Sequence, residues 1–200
     1  MLPWLLILFR LVLGPCLLTS AYLHPLPGYV YALAVVAALV SDFFDGVLAR
    51  RAGTATTTLR LWDSWADLFF WLWAAATLWV LHPEVVEAYR YWVVAVLVLE
   101  FVPDMIYWAR FRQQGCSHSY HSKLWGVTLV VAFTYVFVTG TGGWPFALTV
   151  WLGISSQLER VTIACLLPAR ICDIPTVYHA WQLRRGREIR RNPWFHGEAS

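Results

Sequence analysis

The sequence predicts an all-α, polytopic membrane protein with six transmembrane helices and both termini on the cytoplasmic side. Three observations carry this. First, 59% of the 200 residues are hydrophobic and only 14% are charged, with a mean hydropathy of +0.55, too apolar a composition for a water-soluble domain. Second, apolar stretches near the ~20 residues that cross a ~30 Å hydrocarbon core recur at 4–23, 28–48, 60–81, 91–110, 124–140 and 144–167. Third, with a cytoplasmic N-terminus, fourteen of the 15 lysines and arginines fall on one side and only Arg90 on the other, the bias expected of a chain with an even number of spans.

Each element follows from its residues. The first span ends in Thr19, Ser20 and Ala21, in the manner of a secretory signal, yet no basic segment precedes it and Arg10 interrupts it, so it is expected to be retained. Helix-breaking connectors precede the second, fourth and sixth spans: His24-Pro-Leu-Pro-Gly28, His82-Pro-Glu84 and Thr139-Gly-Thr-Gly-Gly-Trp-Pro145. Trp4, Trp62, Trp92, Trp144 and Trp151 stand near span ends, where indole rings anchor to the interface. In the fourth span Glu100 and Asp104, at i and i+4, must face the bundle interior; they are expected to pair with Arg10 or Arg160, or to line a pocket. Arg110, Arg112, His118, His121 and Lys123 gather at the cytoplasmic ends of the fourth and fifth spans. The sixth span carries the polar run Ser155-Ser-Gln-Leu-Glu-Arg160, open to the same two readings as Glu100.

Cys16, Cys116, Cys165 and Cys172 show no Cys-x-x-Cys spacing, and Cys116 with His118 and His121 makes only a loose ligand set, so the cysteines are expected to be reduced and to bind no metal. No internal repeat and no linker divides residues 1–176, which read as one transmembrane domain. Residues 177–200 read as a basic cytoplasmic tail, whose Arg184 to Arg191 segment is either attracted to anionic lipid at ~1 kcal/mol per residue or a solvated charge run that fixes topology.

Four aspartates in this apolar setting demand a compensating charge, because ionisable groups in a span cost several kcal/mol unless paired or bound to a cation. On a helix Asp42, Asp45 and Ala49 share one face at i, i+3 and i+7, with Gly46 and Arg50 beside them. Asp63 and Asp67, at i and i+4, share a face of the next helix, and the short connection between the two helices lets all four carboxylates converge. Hard oxygen ligands of this kind suit Mg2+ or Mn2+ rather than zinc. Gly46 and Ala49 clear space for a bulky group to approach the backbone, and Arg50 offers a fixed fork to phosphate oxygens. Together these residues point to a bound nucleotide diphosphate. Asp67 lies about 10 Å along its helix from Arg60, just below the cytoplasmic surface, a depth suited to a substrate whose tail stays in lipid.

The spacing from Asp42 to Asp67, D-x-x-D-G-x-x-A-R-x8-G-x3-D-x3-D, resembles the signature of the CDP-alcohol phosphatidyltransferase family at every position but one: Leu59 stands where the family has its second glycine. The opening Leu2 to Arg10 segment is similar to the start of bacterial phosphatidylglycerophosphate synthases, without their polar Asn and Thr. The resemblance implies a membrane enzyme of phospholipid biosynthesis that transfers the phosphatidyl group of CDP-diacylglycerol to an alcohol and releases CMP. It implies Asp42, Asp45, Asp63 and Asp67 as metal ligands, Asp67 as the general base, and Gly46, Ala49 and Arg50 as the lining of the cytidine diphosphate. Basic residues that hold an acceptor phosphate in relatives correspond to Arg110 and Lys123, which implies a hydrophilic, phosphorylated alcohol. Leu99-Glu100 replaces the Arg-Glu pair of phosphatidylglycerophosphate synthases, which argues against glycerol 3-phosphate. Expected partners are CDP-diacylglycerol, the acceptor and membrane lipid, with a homodimer left open and no nucleic acid.

Two rival functions fit parts of the pattern. A small transporter uses intramembrane acids as ion sites but leaves Gly46, Ala49 and Arg50 unexplained. A catalytically impaired lipid- or nucleotide-binding relative is prompted by Leu59.

Overall fold

A computed structural model describes residues 2–51, 56–115, 119–172 and 174–189, without the side chains of 45–47, 49–51, 57 and 60. Regular structure among the described residues is helical: α1 (Leu2–Leu23), α2 (Gly28–Arg51), α3 (Thr57–Leu81), α4 (Pro83–Ala88), α5 (Arg90–Phe111), α6 (Tyr120–Thr139), α7 (Gly143–Leu166) and α8 (Val177–Arg184). The six long helices stand where the apolar stretches predict them, and α4 is a short addition after the His82-Pro83 break. Among the described residues four segments, Leu2–Leu23, Leu61–Leu81, Arg90–Phe111 and Tyr120–Thr139, are long and apolar enough to cross a membrane. The apolar part of α2 ends at Phe44, because aspartates and arginines occupy its last turns, and α7 carries the polar run Ser155 to Arg160.

The chain forms two compact units, Met1–Ala88 with Val130–Phe146, and Tyr89–Leu129 with Ala147–Ser200. In the first, α1 buries Pro3, Ile7, Arg10, Gly14, Leu17 and Ala21, steps of three and four residues that hold one face toward its neighbours. α3 answers with Leu59, Ala66, Phe70, Ala74 and Leu78, and α2 with Tyr31, Val35 and Ala38. Lipid tails are as apolar as leucine, so such helices associate through close van der Waals contact, which small residues permit. Gly14 shows this: a Cβ there would lie 2.9 Å from Trp73 Cβ. The opposite face of α1, with Leu5, Leu8, Phe9 and Val12, is exposed and suited to lipid. The C-terminal half of α6 completes the unit. Phe137 stacks on Tyr31 at 5.3 Å and Phe133 meets Trp71 edge-on at 5.4 Å, while the Tyr31 hydroxyl accepts from the Leu26 amide at 3.2 Å and ties down the α1–α2 connection.

In the second unit Tyr107, Ile163, Ala164, Leu167, Ile174 and Ala180 form one apolar cluster, so α8, at the start of the expected tail, packs through Ala180 and Val177. The Arg110 guanidinium donates to the carbonyls of Ala164 and Leu167, groups that a helix end leaves without intrahelical partners, and its charge suits the negative end of the helix dipole. Glu100 pairs with Arg160 at 2.6 Å and accepts from the fully buried Gln157, while Arg160 also donates to Gln157 at 2.8 Å. Asp104 accepts from the Gly115 amide at 3.2 Å. Cys172 is disulfide-bonded rather than reduced, whereas Cys16 and Cys165 are free.

Gly14→Val forces two methyl groups against Trp73, and overpacking of this kind costs ~1–3 kcal/mol. Thermal unfolding in detergent should show a midpoint several degrees below wild type; an unchanged midpoint would mean that the α1–α3 contact is looser than described.

Candidate metal centre

The site is built where the buried faces of α1, α2 and α3 turn polar. On α2, Asp42 comes four residues after the buried Ala38 and continues its face. On α3, Asp63 and Asp67 flank the fully buried Ala66. On α1, Arg10 occupies the buried position between Ile7 and Gly14. Arg10 is 1% exposed and forms ion pairs with all three acids: Nη1 lies 2.8 Å from Asp42 Oδ1 and contacts Asp67 Oδ1, and Nη2 contacts Asp63 Oδ1. The carboxylates are about one-third exposed, so one side of the cluster is open while the arginine side is closed.

The charges of these four groups do not cancel. A guanidinium buried in an apolar bundle needs a paired and hydrogen-bonded anion, but three carboxylates around it leave two negative charges over. Ligand atoms of Asp42, Asp63 and Asp67 all lie within 4.8 Å of one another, and all are hard oxygens. That donor set fits a divalent cation of the Mg2+ or Mn2+ kind, and the carboxylates are already gathered around positive charge. Asp45, Gly46, Ala49 and Arg50 lie on α2, with the side chains of all four outside the described residues.

A model of the CDP-alcohol phosphatidyltransferase family matches residues 1–156, which include Arg10 and every residue of the aspartate motif. The chain belongs to the CDP-alcohol phosphatidyltransferase family. Membership implies transfer of a phosphatidyl group from a CDP-alcohol in phospholipid synthesis, in a membrane family that generally uses a divalent metal. The apolar helices agree with an integral membrane protein. No curated protein and no solved structure matches the chain.

Leu59, the departure from the family motif, has a packing role. Its amide donates to Thr56 Oγ1 at the start of α3, and its side chain is 6% exposed in a cluster with Ile7, Leu11 and Ala66. The extra bulk thus seals α3 onto α1 beside Arg10.

Of the expected acceptor residues, Arg110 is engaged with the end of α7 as described above, and Lys123 lies in the first turn of α6 with its amide donating to the Ser119 carbonyl at 3.3 Å. Polar residues of α7 meet the start of α6: His121 Nε2 is 3.0 Å from Ser155 Oγ, and Ser119 Oγ donates to Glu159 Oε2 at 2.7 Å. His118 and Cys116 lie outside the described residues.

Sequence reasoning missed the part played by Arg10: it offered Arg10 or Arg160 as the partner of the acids of the fourth span, and Arg160 is the one that pairs with Glu100. Glu100 is satisfied by Gln157 and Arg160, and Arg10 goes to the aspartates. The signal was available: a lone arginine in the first span stands three residues after Ile7 and four before Gly14, on the face that must pack.

Leu59→Gly restores the family residue yet removes a buried side chain. Truncations of that size cost ~2–5 kcal/mol, so thermal unfolding should occur well below wild type. A variant as stable as wild type would contradict the packing role.

Proposed function

We propose that this chain transfers the phosphatidyl group of CDP-diacylglycerol to a hydrophilic, phosphorylated alcohol, with release of CMP and dependence on Mg2+ or Mn2+. The observation that carries the reading is the convergence of Asp42, Asp63 and Asp67, from two helices, at the positions of the family's aspartates. Six spans with both termini cytoplasmic complete the proposal and would set the site at the cytoplasmic surface, the plasma membrane in a bacterium.

Asp42, Asp45 and Asp63 would hold the metal, with Asp67 sharing in it. A divalent ion so held would neutralise charge on the pyrophosphate and on the departing phosphate oxygen. Asp67 accepts the proton of the acceptor hydroxyl. Its oxygen bonds to the phosphorus that bears diacylglycerol, and the bond from that phosphorus to the bridging oxygen breaks, its electron pair leaving with CMP. Arg50 grips phosphate oxygens while Gly46 and Ala49 leave room for the cytidine side of the substrate. Lys123 recognises the acceptor's phosphate; Arg110, which the sequence pairs with it in that role, is committed to the α7 carbonyls and positions the helix end.

The impaired-relative reading rests on Leu59 alone, and the packing of that side chain against α1 supports a structural reason for its presence. The transporter reading has no observation in its favour.

The test is radiolabelled CMP release from CDP-diacylglycerol with a panel of alcohols and phosphorylated alcohols. Asp67→Asn retains the shape but cannot take a proton, so kcat should fall by the ~10²–10⁴ typical of lost general base catalysis while Mg2+ binding persists. Asp63→Asn should lose rate and weaken the Mg2+ dependence together. Near-wild-type turnover of Asp67→Asn would remove it from the role of base.

A further inference from the structure

The Arg10 guanidinium stands where the metal chemistry of the proposed function requires another cation. Nη1 contacts one oxygen of Asp42 and one of Asp67, and Nη2 contacts Asp63. A divalent ion held by Asp42, Asp63 and Asp67 would draw on the carboxylates that Arg10 already engages, and in a partly apolar site the repulsion between the two cations would be poorly screened. Arg10 is also the one member of the cluster contributed by α1, whose other buried residues are small or apolar.

We infer that Arg10 is a built-in counter-cation, which holds the carboxylates together in the metal-free protein and must withdraw from them when metal binds. Metal affinity is therefore set by competition with Arg10. Arg10 is a positioning residue in this scheme. It keeps three like charges from driving α2 and α3 apart before metal arrives, and it makes α1 sensitive to the occupancy of the site.

This inference rests on the metal-binding reading, and Mn2+ titration of the full-length protein in detergent, followed by the electron paramagnetic resonance signal of free Mn2+, separates the two. Arg10→Gln should bind Mn2+ at least ~10-fold more tightly than wild type, the scale on which neighbours of a metal site act. Its metal-free thermal midpoint should fall below wild type, and Mn2+ should raise it by more than it raises the wild type. Recovery of Arg10→Gln only in the presence of Mn2+ would be the same result in stronger form. If that variant does not fold at all, Arg10→Lys, whose single ammonium cannot reach three carboxylates in the arginine's fork geometry, should bind Mn2+ more tightly than wild type. Asp63→Asn, which weakens Mn2+ binding at this site, serves as the control. Mn2+ affinity unchanged or weakened by loss of the Arg10 guanidinium, with the Asp63→Asn control weakened, overturns the inference and leaves the metal site standing. Failure of wild type and variants alike to bind Mn2+ overturns both.

Discussion

One buried arginine and three aspartates govern the first unit. A guanidinium at 1% exposure in an apolar helix bundle is tolerable only when anions surround it, and among the described residues Asp42, Asp63 and Asp67 pair with it. The requirement runs both ways: three carboxylates this close repel one another unless positive charge sits among them. The register of α1, α2 and α3 is thus fixed by electrostatics at the level of Arg10 and by apolar packing elsewhere. Ile7, Leu59 and Ala66 close the contact on one side of that level, and Gly14 allows Trp73 to approach on the other.

The chemistry follows from the surplus negative charge. A structural ion pair would need one carboxylate for one guanidinium, whereas this site has three described acids. Such an excess is costly for folding alone and suits a site that takes up a divalent cation and a substrate bearing phosphates. The polar group of the second unit is different. Glu100, Gln157 and Arg160 satisfy one another, leave no comparable surplus, and act as interhelical glue of the kind membrane bundles use.

Much of this was legible in the sequence because it rests on short-range geometry. Asp42 with Asp45, and Asp63 with Asp67, are neighbours on a helix face by spacing alone, and a short connection brings the two faces together. The positions of the six long helices follow from apolar length and from proline- and glycine-containing breaks. What the sequence did not disclose depends on pairing between distant elements. Arg10 could have met Glu100, Asp104 or the aspartate motif, and nothing local chooses among them. Leu59 read as a departure from the family motif, while its direction depends on how α3 rotates against α1. Arg110 read as a phosphate ligand because it is basic and near a span end; its engagement with the α7 carbonyls follows from the packing of α5 on α7. Cys172 gave no local sign of its disulfide.

The central claim is that the carboxylates which hold Arg10 are the metal ligands of a CDP-alcohol phosphatidyltransferase. Anomalous diffraction from crystals grown with Mn2+ tests it most directly. The account predicts an anomalous peak within ligand distance, about 2.1–2.2 Å, of carboxylate oxygens of Asp42, Asp63 and Asp67. A protein that releases CMP only with Mn2+, yet shows its Mn2+ bound away from these three aspartates, would contradict it.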